Sequence, residues 1–180
     1  MTTRALPTRT TAALRTHAVI DSPIGPLTLV TEGGALTGLY MDVQGHEPDE
    51  ATLGVPAGLE DDEVLAETAR QLGAYFAGEL TTFDLPLDLD GTGFQQTVWA
   101  GLREIPYGET ISYGELAKRI GQPTASRAVG LANGRNPVSI VVPCHRVVGS
   151  NGSLTGYGGG LPRKHFLLAL EQRVTGQTLA

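Results

Sequence analysis

Cysteine is almost absent from this chain: Cys144 is the only one among 180 residues. A single thiol excludes an internal disulfide and a zinc cluster built from cysteines, and it fits a reducing compartment such as the cytoplasm. Long apolar runs are absent as well, since no stretch approaches the roughly 20 residues that a bilayer-spanning helix needs. With 41% hydrophobic residues and a mean hydropathy of −0.03, the composition predicts a soluble globular protein without a membrane partner.

Basic residues are scarce in the first half of the chain, and acidic residues are scarce in the second. Residues 1–90 hold 4 Lys+Arg and 15 Asp+Glu, a balance of −11, whereas residues 91–180 hold 9 and 4, a balance of +5. The two balances sum to the net charge of −6. This asymmetry predicts two units, 17–90 and 91–180, and assigns any polyanion binding to the second. Uneven decoration of one surface is the alternative explanation.

The first unit has the patterns of a mixed α/β structure. Residues 1–16 contain threonine and arginine but no acid, and we expect a disordered tail there. Short β-rich runs bounded by Gly and Pro follow and predict an antiparallel meander. Apolar residues at spacings of four, three and four then predict a helix over about 61–77.

Helical patterns dominate the second unit. One helix is predicted over about 93–104, and Ser112 and Glu115 have the spacing of a capping box at the start of another. Thr124 is expected to cap a third. Two short helices joined by a turn that contains Gly form a helix-turn-helix pattern, in which Arg127 lies where that motif presents side chains to nucleic acid. The same pattern is common in purely structural roles, so it is compatible with either a DNA-binding or a structural role.

The only thiol lies in the segment Pro143–Arg146, directly after the aliphatic run 138–142. A buried aliphatic run that ends at proline predicts a strand that delivers Cys144 to the edge of the core. His145 follows, and a neighbouring base is the usual way to populate a thiolate near neutral pH. Glu171, on a last predicted helix, is either a solvent-facing acid or the carboxylate that orients His145. Free cysteine is also a common core residue, so a structural role stays open.

Five motifs occur in a fixed order along the second unit. They are Ile105–Thr110 with Ser112–Gly114, Ser126–Gly130, Asn136-Pro137, Pro143–Val148 and Gly156–Gly160. Together they resemble the O6-alkylguanine-DNA alkyltransferases, or methylated-DNA–protein-cysteine methyltransferases. The resemblance covers almost the whole chain from about His17. It implies an α/β (α+β) fold, with a ribonuclease-H-like N-terminal domain followed by a helical domain that contains a helix-turn-helix.

The resemblance also implies an activity, which is irreversible, single-turnover repair of DNA. The alkyl group of O6-alkylguanine, and also of O4-alkylthymine, would pass to Cys144 after the base is flipped. His145 would act through a water as the base, and Glu171 would orient His145. Asn136 would hold the loop around the site, and Tyr113 would reach N3 of the extruded guanine. No cofactor and no metal are expected.

The same resemblance assigns residues to the DNA and to the flipped base. Arg127 would fill the gap left in the duplex, on a helix that lies in the minor groove. The residues expected at the DNA are Arg127, Thr124, Ser126, Ala128 and Arg135. The residues expected around the base are Tyr113, Val147, Ser139, Tyr157 and Gly158. The protein is expected to be a monomer that could bind cooperatively along double-stranded DNA.

Three departures from the family pattern limit what is carried over. The chain lacks the N-terminal cysteines that bind a structural zinc in some relatives. The cysteine-rich regulatory domain of the adaptive-response relatives is not expected here either. Ser139 and Gly158 stand where several relatives have proline and serine, which leaves open how bulky an alkyl group the site accepts.

Three other functions remain as alternatives at this point. A non-catalytic protein that binds alkyl lesions and recruits repair factors would lack the reactive cysteine, which is intact here. A cysteine hydrolase could use Cys144, His145 and Glu171, but it would need an oxyanion hole and would give Arg127 no role. A helix-turn-helix regulator would carry an inert cysteine and bind DNA in a sequence-specific manner.

Overall fold

The computed structural model describes residues 14–42, 48–49 and 52–176. The first sheet has four strands: β1 (Arg15–Ile20), β2 (Leu27–Glu32), β3 (Ala35–Met41) and β4 (Val55–Pro56). Their order is β3-β2-β1-β4; the first three are antiparallel neighbours, and β4 runs parallel to β1. Gly33 and Gly34 close the β2–β3 hairpin with φ of +61° and +77°, the backbone that a type I′ turn requires. The predicted meander is therefore confirmed.

The predicted tail 1–16 extends too far. Residues 1–13 lie outside the described residues, but Arg15 and Thr16 pair with Glu32 and Thr31 in the β1–β2 ladder. The pairing is reinforced because the Arg15 guanidinium donates two hydrogen bonds to the Glu32 carboxylate, at 3.0 and 2.8 Å. A tail ending at residue 16 was wrong by these two residues, because a threonine- and arginine-rich composition does not show where backbone pairing begins.

Helix α1 (Glu63–Phe76) packs on this sheet. Asp62 caps its first turn, since its carboxylate accepts hydrogen bonds from the N–H groups of Val64 at 2.8 Å and Leu65 at 3.1 Å. The same carboxylate accepts the Thr31 hydroxyl at 2.6 Å, so the cap also fastens the helix to strand β2. Gly78, with φ of +76°, follows the C-cap Ala77 in the left-handed conformation that often ends a helix.

The second unit is mainly helical. Its elements are α2 (Gly93–Arg103), β5 (Ile111–Ser112), α3 (Tyr113–Arg119), α4 (Ser126–Gly134), β6 (Val147–Val148) and α5 (Leu161–Thr175). Ser112 caps α3 as predicted, its hydroxyl accepting from the Glu115 N–H at 3.0 Å. Thr124 does not cap α4, because that helix begins two residues later and its N-cap, Ala125, has no side-chain acceptor. Helices α3 and α4 pack together and form the helix-turn-helix.

The aliphatic run before the cysteine is a turn, and the predicted strand is wrong. Its first residues pair with the edge of β3, where the Leu39 N–H donates to the Pro137 carbonyl at 2.9 Å. The chain then folds back on itself, with the Val142 N–H donating to the Val138 carbonyl at 3.0 Å. Ile140 has a φ of +73°, a conformation that costs a β-branched residue energy and that strands do not use.

One apolar core runs through both units. Trp99 on α2 is buried, and its indole N–H donates to the Ala132 carbonyl on α4 at 2.9 Å. Because the run before Cys144 is hydrogen-bonded to β3, the sheet of the first unit supports the position of the thiol in the second. Within the described ranges, no helix has the length and apolar character needed to cross a bilayer.

Candidate active site and DNA-facing helix

Cys144 begins a short 3₁₀ helix, Cys144–Arg146, at the end of the turn. Its N–H donates to the Val142 carbonyl at 2.8 Å, and its side chain is almost enclosed, with 5% exposed. Asn136 spans the turn: its amide donates to the Val142 carbonyl at 2.8 Å, and its carbonyl oxygen accepts the Val138 N–H at 3.0 Å. A single asparagine therefore holds both ends of the segment that presents the thiol.

The environment of Cys144 favours the neutral thiol at rest. Burial raises the pKa of the Cys144 thiol, while a hydrogen bond from Asn136 and the positive charge of Lys164 oppose this effect. Because burial dominates, the thiolate is scarce until a base takes the proton. The site thus holds a nucleophile that needs activation at the moment of reaction.

His145 and Glu171 form a buried pair, with 2.6 Å between Nε2 and Oε2 and no exposure of either side chain. Glu171 is therefore buried against His145 and is not a solvent-facing acid. Burial alone would raise the pKa of Glu171, but His145 and Arg146 hold that pKa well below its usual value. Since the carboxylate is ionised and can only accept, Nε2 carries the imidazole proton and Nδ1 carries the lone pair.

The His145 imidazole is suited to act as a base. Burial lowers its pKa, and this effect outweighs the opposing influence of Glu171. Nδ1 is buried and finds no hydrogen-bond partner among the described residues. A neutral ring with a buried, unpaired lone pair one residue from the thiol can receive the thiol proton through a water.

Three groups around Glu171 were missed at the level of sequence. Arg146 donates from Nε to Oε1 at 2.8 Å and from Nη2 to Oε2 at 3.1 Å. The Gly108 N–H donates to Oε1 at 3.1 Å, and the Tyr75 hydroxyl donates to Oε2 at 2.7 Å. Arg146 was open to prediction, because a charge next to Val147 and Val148 must find a partner if the run is buried. Tyr75 belongs to α1, and nothing in the sequence pairs that helix with Glu171.

Lys164 is a fourth residue that sequence reasoning missed. Its side chain is fully buried, and Nζ donates to the Val147 carbonyl at 2.6 Å and to the Thr155 carbonyl at 2.9 Å. Burial lowers the pKa of Lys164, whereas the nearby Cys144 raises it. Lys164 therefore fastens β6 to the glycine-rich loop, residues 149–160, and brings a positive charge to the thiol.

Two of the residues predicted around the base, Tyr113 and Tyr157, lie near Cys144. The Tyr113 hydroxyl, on α3, donates to the Thr155 carbonyl of the glycine-rich loop at 3.3 Å. The Tyr157 hydroxyl is buried without a partner among the described residues, and burial together with Cys144 raises its pKa well above the usual value. Val147 and Ser139 are buried, and the Ser139 N–H donates a hydrogen bond to the Leu39 carbonyl. Gly158 is exposed in the loop.

Helix α4 presents a face to solvent beside this loop. Arg127 is exposed there and lines a shallow groove with Tyr113, Ser126, Gly130 and Leu131. Leu131, four residues after Arg127, has 71% of its surface exposed, and sequence reasoning missed it. The other residues predicted at DNA are also exposed: Thr124 and Ala128 near the start of α4, and Arg135 at its end.

Fold and site together define a class of protein that combines a buried reactive thiol with a nucleic-acid-binding motif. The thiol lies next to a His–Glu pair, and the helix-turn-helix exposes an arginine. Within the described residues, no group of three His, Cys, Asp or Glu side chains could hold a metal ion. The buried Cys144 thiol next to the His145–Glu171 pair is suited to nucleophilic attack.

Family models match both units of the chain. The ribonuclease-like domain of 6-O-methylguanine DNA methyltransferase matches residues 16–89, and the DNA-binding domain of 6-O-methylguanine DNA methyltransferase matches residues 93–173. The chain thus belongs to the 6-O-methylguanine DNA methyltransferase family. The predicted fold class, a ribonuclease-like α/β unit followed by a helical unit, is confirmed.

Individual relatives agree with this assignment. The chain is 57% identical over 157 residues to the methylated-DNA–protein-cysteine methyltransferase of Mycolicibacterium paratuberculosis, covering 87% of this chain and 92% of the relative. It is 54% identical over 157 residues to the protein of the same name from Methanosarcina acetivorans, covering 86% and 97%. The crystal structure of Mycobacterium tuberculosis OGT in complex with DNA superposes with a TM-score of 0.81 at 55% identity, covering 88% and 94%.

Proposed function

We propose that this protein repairs DNA by moving the alkyl group of O6-alkylguanine onto its own Cys144, once per molecule. The observation that carries the proposal is the buried Cys144 next to the His145–Glu171 pair, in a chain with no second thiol. O4-alkylthymine, which presents an alkyl carbon on a similar exocyclic oxygen, is the second substrate expected.

The reaction follows from the state of each group. His145 Nδ1 takes the Cys144 proton through a water as Sγ attacks the alkyl carbon. The S–C bond forms, the C–O6 bond breaks, and its electron pair passes to the guanine ring. The Tyr113 hydroxyl donates a hydrogen bond to N3 of the departing base and stabilises the negative charge that develops on it, and the proton taken up by His145 then passes to the guanine through solvent. The product is a thioether on Cys144, and no other thiol of the chain can reverse it.

The low pKa of Glu171 gives it a defined part in this step. A carboxylate that stays ionised does not accept the proton of His145, but it stabilises the imidazolium that forms when the thiol proton arrives. Lys164 acts at the other end, since its ammonium lies close enough to favour the thiolate. The two charges thus stabilise the two ions that the proton transfer creates.

The alkyl carbon on O6 is out of reach inside a stacked duplex, so the base must be flipped. We propose that the exposed face of α4 lies in the minor groove and that Arg127 occupies the space left by the guanine. Thr124, Ser126, Ala128 and Arg135 are exposed as well, and Ser126 lines the same groove as Arg127. The balance of +5 in residues 91–180 favours this half for the phosphate backbone, and the DNA complex of the Mycobacterium tuberculosis relative supports DNA as the partner.

The proposal also includes the domain boundary, the oligomeric state, the compartment and the lack of a cofactor. The boundary between 17–90 and 91–180 is supported by the two family models, which end at 89 and begin at 93. A monomer in the cytoplasm that acts without cofactor is the simplest state for a chain that carries its own acceptor. The lesion-binding alternative is disfavoured because Cys144 is present and supported by a base.

The test is covalent transfer itself. The protein is incubated with duplex DNA that carries O6-methylguanine, and intact and peptide masses are measured. One methyl group per chain is expected, on Cys144, without added metal or cofactor. Turnover beyond one equivalent, or methyl on another residue, would contradict the proposal. A fluorogenic ester should not be hydrolysed, which separates this function from that of a cysteine hydrolase.

A further inference from the structure

One side chain of the acidic N-terminal unit enters the charge network of the thiol site. Tyr75, on α1, is fully buried, and its hydroxyl lies 2.7 Å from Oε2 of Glu171, a residue 96 positions later in the chain. Burial and the negative charge of Glu171 raise the pKa of Tyr75 well above its usual value. The hydroxyl therefore stays protonated and remains a donor to the carboxylate.

We propose that Tyr75 is a positioning residue for alkyl transfer, whose hydroxyl fixes Oε2 of Glu171 beside His145 and takes up part of its negative charge. The proposal rests on the function proposed above. It assigns the N-terminal unit a direct part in tuning the base, in addition to its support of the Cys144 turn.

Three donors share Oε2 of Glu171. This single oxygen accepts from His145 Nε2 at 2.6 Å, from the Tyr75 hydroxyl at 2.7 Å and from Arg146 Nη2 at 3.1 Å. Each donor stabilises the carboxylate and reduces the charge that the other donors experience. Without the Tyr75 hydroxyl, more of that charge would act on His145 and would favour the imidazolium over the neutral ring.

The groups that set the charge of His145 lie on two elements: Glu171 and Lys164 on α5, and Arg146 on the same 3₁₀ helix. Cys144 precedes His145 on that helix, Tyr75 reaches Glu171 from α1, and Tyr107, before β5, lies near Glu171 without a hydrogen bond to it. Of these, only Glu171 raises the proton affinity of His145 strongly, while Arg146 and Lys164 lower it. Tyr75 therefore acts by moderating Glu171.

Tyr107 provides a matched control in the same aromatic cluster. Its ring stands edge-on to that of Tyr75, with centroids 6.1 Å apart and planes at 85°. Its hydroxyl is buried but has no hydrogen-bond partner in the described part of the chain. Tyr107→Phe thus removes a hydroxyl from the same cluster without removing a contact to the carboxylate.

The experiment is a pH profile of the single-turnover transfer rate, measured with duplex DNA containing O6-methylguanine for the full chain, Tyr75→Phe and Tyr107→Phe. We expect the acid limb of the Tyr75→Phe profile to move up by about one pH unit, which is the size of shift that one charge-linked hydrogen bond produces. Transfer would then be about tenfold slower on that limb and would converge with the parent rate at higher pH. The Tyr107→Phe profile should overlay that of the parent.

A purely structural role predicts different results. Uniform slowing at every pH would overturn the proposal, as would unchanged transfer by Tyr75→Phe or an equal shift in Tyr107→Phe. Tyr75→Met, which also lacks the hydroxyl, must move the limb in the same direction. An NMR titration of the His145 ring in the Cys144→Ser background should show the same upward shift. Because that titration needs no alkyl transfer, it tests Tyr75 even if the proposed function fails.

Discussion

The two halves of the molecule each hold a carboxylate crowded with donors, and the partners differ. Asp62, at the start of α1, accepts two backbone N–H groups and the hydroxyls of Thr31 at 2.6 Å and Thr16 at 3.1 Å, all of them neutral. Glu171 accepts from a guanidinium and an imidazole as well as from neutral donors, and it is fully buried. The number of hydrogen bonds does not distinguish a structural carboxylate from a functional one; the charge and burial of its partners do.

The arginines show a related contrast, between Arg146 and the surface arginines of both units. Arg15 and Arg70 in the N-terminal unit pair with Glu32 and Glu67 at the surface, and Arg119 in the C-terminal unit pairs with Glu115 in the same way. Arg146, in contrast, is buried against Glu171. We therefore expect a charge substitution in the buried Arg146–Glu171 pair to change alkyl transfer, and substitutions in the surface pairs to change stability or nothing.

Glu171→Gln should have the largest effect. Loss of the carboxylate removes the group that orients His145, and base assistance is typically worth about 10²–10⁴-fold in rate. The variant also leaves Arg146 buried without its carboxylate, which costs on the order of 3–5 kcal/mol of unfolding free energy. Single-turnover transfer and chemical denaturation measure the two effects. Lesion binding, measured in the Cys144→Ser background, should be largely retained.

The control is Glu67→Gln on α1, an exposed carboxylate that binds Arg70, and it should transfer at the parent rate.

Acid denaturation gives a further check. The folded pKa of Glu171 is below its ordinary 4.5 and that of His145 is below its ordinary 6.5, so both contribute stability above those values that is lost as pH falls. Glu171→Gln should lose less stability below pH 4.5 than the parent. An unchanged transfer rate in Glu171→Gln would mean that other contacts orient His145.

Arg127→Ala should have the next largest effect, and only on duplex DNA. Flipping a base costs a few kcal/mol, so loss of the side chain that fills the gap should slow repair of duplex O6-methylguanine about 10–100-fold. The reaction with free O6-benzylguanine should change little, provided that the Ser139 site admits the ring. Arg70→Ala, an exposed arginine of the first unit, is the matched control and should affect neither substrate. Equal slowing of both substrates by Arg127→Ala would make Arg127 a structural residue.

Contiguous motifs made part of the site predictable from sequence. Cys144, His145 and Asn136 were assigned from residues close together in the chain, and the structure places them on one turn. Whether Glu171 faces His145 could not be decided from sequence, because their contact depends on how α5 packs. The contact between Tyr75 and Glu171 joins residues 96 positions apart, and no local pattern encodes it.

Local propensity also misled the prediction at two places near the site. The β-branched residues of 138–142 favour a strand, but the Asn136 side chain and the edge of β3 take the hydrogen bonds and turn the chain at Ile140. Thr124 has the side chain of a helix cap, but α4 starts after Ala125. In the first case these hydrogen bonds, and not the residue type, decided the backbone; near Thr124 a local turn, in which the Ala125 N–H donates to the Gln122 carbonyl at 2.9 Å, precedes the helix.

Asp62→Ala should have the smallest effect and should affect stability alone. Its carboxylate caps α1 and fastens it to β2, and loss of such a cap typically costs about 1 kcal/mol. Because the pKa of Asp62 is lowered by these hydrogen bonds despite partial burial, the parent should lose this contribution as pH falls below 3.8, whereas the variant has none to lose. Chemical denaturation of the parent and the variant, at pH values above and below 3.8, measures this contribution to stability. The transfer rate at neutral pH should equal that of the parent, since Tyr75 lies more than three turns along α1 from the cap. A slower transfer would show that the start of α1 sets the position of Tyr75, and the carboxylate of the first unit would then also be functional.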